Sequence, residues 1–473
     1  MINSTLLEAL GSLSKEEFRE LGLFINSPFF NNRNEVIRFY AAIKKHYPDF
    51  DPDKLDEEKV YNLIYPGKKF SGVLMRKIYS LFTKLFLDYI SISAYRENEL
   101  DYNVKMLYRL YDKQLKDLFV KKSRTFEVLL DNSKHSIEYY EAKFKFTSKL
   151  NAFRNESKEK GNIEIYQAEL NEFIEYFASV ILLLFHRLMT FSNIYNTKYQ
   201  MWFYDELFSY LNKHGFEDKT IVSIYYHMVK LFETEQEYHF RELINYSKRF
   251  DAKLTPMFKN NVFITMFNHC LNRIYKGESE FRKHLFDISK LFANEKQLMG
   301  EQKFINPFLF TGIVRNSAYL KEFRWTEDFI KEFRKHLEPG SNTEVLNYTN
   351  AMLEFEKGNF EKSLAYLSGS NPDKLVMKIN AKNLQLMLYF ELGYNDELIS
   401  LIDTYKHYLN NNTSIGETQK QRNVRFVNAV SELLKIKLRD DPVSTALFLK
   451  KMEESEYFIL KEWIEAKLKK MHN

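Results

Sequence analysis

The chain has 473 residues, 45% of them apolar and 28% charged, which excludes a disordered or low-complexity class and leaves enough apolar surface for a large core. Its 69 Lys and Arg exceed its 64 Asp and Glu by five, and the whole excess falls in residues 1–160 (28 against 23), too dilute by itself for a DNA-binding footprint. Cys270 is the one cysteine, so no intramolecular disulfide forms, which fits a reducing cytoplasm.

The opening MINSTLLEALGSLSKEEF has no basic region leading into an apolar one, and no signal peptide is read there. Ser14 to Glu17 is a capping box ahead of FRELGLFI, and Ser27-Pro28 stops that helix. The acids of DEEK at 56 read as charges that favour a helix N-terminus. Next comes YPGKKFSGVLMRKIYSLFTKLF, Tyr65 to Phe86, with five cations and no anion. Apolar residues recur there at three and four, from Phe70, Val73 and Leu74 to Tyr89 and Ile90. A helix beginning near Phe70 places Lys69, Arg76 and Thr83 on one line and Lys77 with Lys84 on the next, with Lys68 adjoining. The preferred reading is an ordinary solvated face. The alternative is a phosphate-contact face of Lys68, Lys69, Arg76, Lys77 and Lys84 in a loosely helix-turn-helix setting, without the polar set that reads bases.

Farther on, FASVILLLF (Phe177 to Phe185) is the longest apolar run, too short to span about 30 Å of hydrocarbon, and is expected to be a buried core segment with no membrane role. Trp202 and Trp463 sit among apolar residues at helical spacing and are expected in the core. His269-Cys270 reads as a buried structural thiol beside a histidine, since adjacent helical residues point about 100° apart. Thr255-Pro256 and Asp441-Pro442 mark helix starts, and Asp440-Asp441 is explained by capping. Scattered histidines and the absence of Cys pairs or glycine-rich phosphate loops argue for no catalytic, metal or cofactor site. Gly (14) and Pro (9) are scarce and no strand-like alternation appears, so about 20 helices and no sheet are expected.

Shifting the sequence by 35 residues aligns EFRWTEDFI at 322, KGNFEKSLA at 357 and LGYNDELIS at 392. The shift stacks Phe323, Gly358 and Gly393 at the turn, Leu320, Phe355 and Phe390 before it, and Phe329, Leu364 and Ile399 after it. Over about 310–410 these residues resemble the tetratricopeptide repeat, and Ala351 to Leu367 is the best unit, with Ala351, Gly358, Phe360 and Ser363 in the repeat's characteristic places. The unit before has Phe323 where the family has glycine, and the unit after has Leu398 where it has a small residue. The helical pattern predicts an all-α fold with a helical N-terminal module (1–160) and, by extension, a helical-hairpin solenoid (161–300), and the resemblance implies tetratricopeptide-like units in a C-terminal solenoid (301–473) of antiparallel helix pairs. By the same resemblance the chain is expected to be a non-catalytic, cytoplasmic scaffold or adaptor whose solenoid surface binds a peptide or helix of another protein. The alternatives are a nucleic-acid-associated regulator acting through Lys69, Arg76 and Lys77, and, ranked last, an enzyme with an unrecognised site.

Overall fold

Helix punctuation decides the architecture of this chain, whose computed structural model describes residues 4–51, 55–156, 163–195, 199–300, 302–340, 342–370, 375–412, 414–439 and 442–472. The fold is all-α: the structure is 80% helix, with no strand among the described residues. Contacts divide the chain into two compact units, residues 1–131 with 145–160, and residues 132–144 with 161–473. Positions 161–300 and 301–473 thus share one unit.

The first unit begins with α1 (Ser4–Gly11), α2 (Lys15–Ile25) and α3 (Asn34–Ile43), followed by α4 (Glu57–Ile64) and α5 (Gly72–Glu97). The capping box is formed, with Ser14 Oγ accepting from Glu17 N–H at 3.2 Å and Glu17 accepting from Ser14 N–H at 2.6 Å. Asp56 caps α4 through the N–H groups of Glu58 and Lys59, while Glu57 accepts from the Tyr79 hydroxyl at 2.8 Å. Phe18, Leu21, Phe39, Tyr61, Phe82 and Tyr89 are buried together in one core. Buried tyrosine hydroxyls still find partners there: Tyr40 donates to Phe18 O at 2.9 Å and Tyr89 to Glu17 O at 3.0 Å. The unit continues through α6 (Glu99–Asp112), α7 (Lys116–Asn132) and the latter part of α8 (Ile137–Glu156), where Phe119 meets Phe153 and Phe126 meets Phe146.

In the second unit α9 (Ile163–Tyr195) is 33 residues long. The Phe177–Phe185 run is not buried throughout, contrary to the sequence expectation, because a long helix spreads apolar residues around its circumference. Ala178, Leu182 and Phe185 are buried while Leu170, Phe173, Phe177, Leu184 and Leu188 are exposed. Taken as Ile163–Phe191, the segment is long and apolar enough to cross a membrane, and 28% of its most apolar window is buried. After α10 (Tyr204–His214), the helix α11 (Thr220–Thr234) is buried on every face from Thr220 to Val229, and it packs on α9, on α12 (Glu237–Arg249) and on α13 (Pro256–Ile274). Thr255 caps α13, accepting from Phe258 N–H at 3.2 Å. Then follow α14 (Phe281–Phe292), α15 (Glu295–Met299), α16 (Pro307–Tyr319), α17 (Phe323–Phe333), α18 (Asn342–Glu356) and α19 (Phe360–Ser368). The chain ends with α20 (Leu375–Leu392), α21 (Asn395–Asn411), α22 (Glu417–Arg439), α23 (Pro442–Glu454) and α24 (Lys461–His472). The capping role expected of Asp440 and Asp441 lies outside the described residues.

One turn recurs along this unit. At Gly277, Lys321, Gly358 and Gly393 the backbone enters the left-handed region (φ +94°, +62°, +83° and +75°). In each case the next residue's N–H reaches back five residues: Glu278 to Arg273 O, Glu322 to Ser317 O, Asn359 to Glu354 O and Tyr394 to Tyr389 O, all at 2.9–3.1 Å. This is the Schellman closure, which satisfies carbonyls that a helix end leaves orphaned. The expected column is corrected at its first member: Phe323 opens α17, and the turn residue is Lys321, two positions earlier. Phe323 therefore matches Phe360 and Asn395, which also open their helices, and two extra residues lie between the first turn and the second.

Helices joined at these turns pack on each other, α13 on α14, α16 on α17, α18 on α19 and α20 on α21. Close approach is enforced at α18 and α19, where the Ser363 hydroxyl donates to Ala351 O at 2.5 Å. Successive turns are also linked by ion pairs and hydrogen bonds. Arg273 donates to Glu235 O at 3.0 Å, Lys321 Nζ to Glu356 O at 2.9 Å and the Tyr394 hydroxyl to Glu361 at 2.9 Å.

A Cβ added at Gly358 meets nothing within 4 Å, so Gly358→Ala tests the backbone alone. It is expected to cost about 1 kcal/mol in chemical denaturation, with no loss of helix content by circular dichroism. Burial also holds His227 and His269 neutral, lowering the pKa of each to about 4. Because these folded pKa values lie below the ordinary one, stability is complete above about pH 6.5 and falls as pH drops toward 4. Urea melts are expected to lose on the order of 2 kcal/mol per such histidine between about pH 7 and pH 5. The His227→Gln variant should show a shallower slope.

Candidate functional site

The basic residues of the first unit stand apart from its core. Arg76, Lys77 and Lys84 are exposed on α5, beside a shallow depression lined by Tyr79, Thr83 and Leu87. Lys68 and Lys69 are exposed too, but they precede Ser71, whose hydroxyl caps α5 by accepting from Leu74 N–H at 3.4 Å. The helix thus starts at Gly72 rather than near Phe70, and Lys69 does not continue the helical line of Arg76 and Thr83. The apolar stripe is rotated accordingly: Met75, Ile78, Phe82 and Phe86 are buried, while Phe70, Val73 and Ile90 are exposed.

Cys270 is buried, and burial pushes its thiol well above the usual range, which is the state of a packed thiol rather than a nucleophile. Its neighbour His269 lines a 260 Å³ cavity with His186 and Tyr225, where His186 Nε2 lies 2.9 Å from Thr265 Oγ1. Trp202 is 80% exposed, against the expectation that it belongs to the core. Trp463 is half-buried, packs on Phe390 and Phe426, and donates from Nε1 to Glu391 at 3.0 Å.

Trp463 also borders a concavity of the second unit of about 640 Å³. Its wall is built from α13, α16, α18, α20, α22 and α24, with Arg282 contributed by α14. Spacing on each helix explains the convergence. Gly312, Arg315, Asn316 and Tyr319 fall on one face of α16, Tyr348, Met352 and Phe355 on one face of α18, and Val376, Asn380, Asn383 and Met387 on one face of α20. Gly312 is required at its place, because a Cβ there would come within 2.5 Å of the Phe267 ring.

Four cations and two carboxylates line this space. Arg282 pairs with Glu462 at 2.8 Å and Lys321 with Glu356 at 2.7 Å, so both carboxylates are engaged. Arg315 and Arg422 have no carboxylate partner among the described residues. They meet instead at Tyr275: Arg315 Nη2 donates to the Tyr275 hydroxyl at 3.0 Å, and the Arg422 guanidinium lies 5.5 Å from the centre of its ring. Arg315, with help from Arg422 and Arg282, holds the Tyr275 phenol below its usual pKa, whereas burial pushes Tyr348 up to about 12.

The cavity floor is a polar network. Asn383 donates to Asn423 Oδ1 at 2.9 Å, Asn423 donates to Gln419 O at 2.7 Å, and the Tyr405 hydroxyl donates to Asn383 Oδ1 at 3.0 Å. On the lining residues, two buried polar atoms have no hydrogen-bond partner among the described residues, Asn316 Oδ1 and Arg282 Nε. The phosphate-contact residues and repeat-turn residues singled out from the sequence do not line this cavity. Arg315, Arg422, Tyr275 and the asparagines were missed, although a signal exists: FLFTGIVRNSAYL sets Arg315-Asn316 inside an apolar helix, where an uncompensated charge is costly.

Comparison with family models, curated proteins and solved structures finds no match.

Tyr405→Phe removes the donor to Asn383 Oδ1 without emptying the core. It is expected to cost about 1–2 kcal/mol in thermal or urea unfolding, because a buried acceptor loses its partner. An unchanged midpoint would show that the network is not stabilising.

Proposed function

We propose that this protein is a non-catalytic scaffold or adaptor. In this reading the helix pairs of residues 161–473 stack as antiparallel pairs into an α-solenoid with tetratricopeptide-like units, and that surface receives a peptide or helix of a protein partner. One observation carries the reading: α13, α16, α18 and α20, the first helices of four successive turn-joined pairs, line a single concavity together with α22 and α24. Such a surface binds through apolar anchors and selects through the charges set among them. The Ala351–Ser363 approach and the recurring turn support the likeness to tetratricopeptide units, and a cytoplasmic location is part of the proposal.

A second reading rests on a separate observation. Lys68, Lys69, Arg76, Lys77 and Lys84 are all exposed, and none joins an ion pair among the described residues, which suits contact with a phosphate backbone. It makes the protein a nucleic-acid-associated regulator.

Affinity capture of the full chain from its native cell, analysed by mass spectrometry, separates the two. The scaffold reading expects reproducible protein partners whose recovery drops about tenfold with Arg422→Glu, a charge reversal on the lining. Recovery of nucleic acid without a protein partner, sensitive to salt and to neutralising Lys69, Arg76 and Lys77, would replace it with the second reading.

A further inference from the structure

We infer that the 640 Å³ cavity of the second unit is a binding site for a small phosphate monoester carried on an aromatic body, a class that includes nucleoside monophosphates. This goes beyond the scaffold reading and does not depend on it.

Charge carries the inference first. Arg315 and Arg422 are half-buried, and drawing a guanidinium partly out of water has a cost that an anion offsets. Arg282 and Lys321 have their carboxylates, and among the described residues Arg315 and Arg422 have none. Both are directed to Tyr275, so the two cations and one phenol mark a single spot on the wall. Two unmatched positive charges call for a dianion. A phosphate monoester is a dianion near neutral pH, so it matches two positive charges where a carboxylate matches one, and its oxygens accept from a planar guanidinium in pairs.

Size and shape carry it further. About 640 Å³ is the volume of a small-molecule site. The segment from Tyr457 to Trp463 borders the cavity, and Glu462 ties it to Arg282, 180 positions away in sequence. Tyr457 lies against Gly277, where an added Cβ would come within 3.1 Å of its ring. Tyr348, Tyr457, Phe355 and Trp463 present aromatic surface to the cavity, the complement of a flat apolar body.

Calorimetric titration of the full-length protein tests this with phenyl phosphate, adenosine 5′-monophosphate, inorganic phosphate, benzoate and adenosine. Phenyl phosphate and adenosine monophosphate are expected to bind at one site. Benzoate, which lacks the dianion, adenosine, which lacks the phosphate, and inorganic phosphate, which lacks the ring, are each expected to bind about tenfold more weakly or worse. Arg315→Gln and Arg422→Gln should each weaken phenyl phosphate about tenfold, with helix content unchanged, and Lys77→Gln in the first unit should leave it unaltered. Should Arg315→Gln fail to fold, Arg422→Gln and the ligand series still decide. The inference is overturned by no binding at millimolar ligand, by benzoate equal to phenyl phosphate, or by wild-type affinity in Arg422→Gln. A phosphotyrosine peptide binding about tenfold tighter than either small phosphate would overturn it in favour of a phosphorylated protein partner.

Discussion

An amphipathic helix cannot hide its apolar stripe alone, and the second unit meets that constraint by reversing the chain at a left-handed residue and laying the next helix against the last. Four such closures, at Gly277, Lys321, Gly358 and Gly393, share one hydrogen-bond pattern. Three use glycine, which reaches positive φ without steric cost; Lys321 accepts the strain, and its ammonium is held by the Glu356 carbonyl and carboxylate. The helices that lead into these turns then pack neighbour to neighbour, α16 on α18, α18 on α20 and α20 on α22. Everything that lines the cavity depends on this arrangement, because its residues are brought together only by the helices that carry them.

Polar residues on otherwise apolar helix faces mark where the packing serves something besides stability. Asn383, Asn423 and Tyr405 satisfy one another and form a settled polar floor. Arg315 and Arg422 differ, since Arg315 donates to the Tyr275 phenol and Arg422 lies over its ring, and neither pairs with a carboxylate among the described residues. A fold selected for stability alone would replace such groups with apolar side chains of similar volume. The first unit makes the contrast clear: Lys68, Lys69, Arg76, Lys77 and Lys84 are exposed, where water compensates charge and a cation demands no partner.

Much of the fold was legible in the sequence because helix signals are local. The Ser14–Glu17 box, the Thr255-Pro256 start and the glycines at 358 and 393 act through bonds spanning a few residues, and the residues that make them are adjacent in the chain. Errors arose where geometry overrode composition. The turn before α17 uses a lysine, so an alignment seeking glycine slipped by two residues to Phe323. α5 begins after its serine cap, which takes Lys69 off the helix. Trp202 is exposed and the apolar run of α9 is only half covered, because burial depends on what packs alongside a helix and not on its own residues.

By itself the sequence determined that this chain is all helix, with few breaks and no disulfide, since helix propensity, capping and cysteine count need no distant partner. The meeting of Arg315 and Arg422 at Tyr275 was decided by tertiary structure alone. These residues come from three helix segments spread over about a third of the chain, and unmatched charge is a property of what surrounds a side chain, which no linear spacing records.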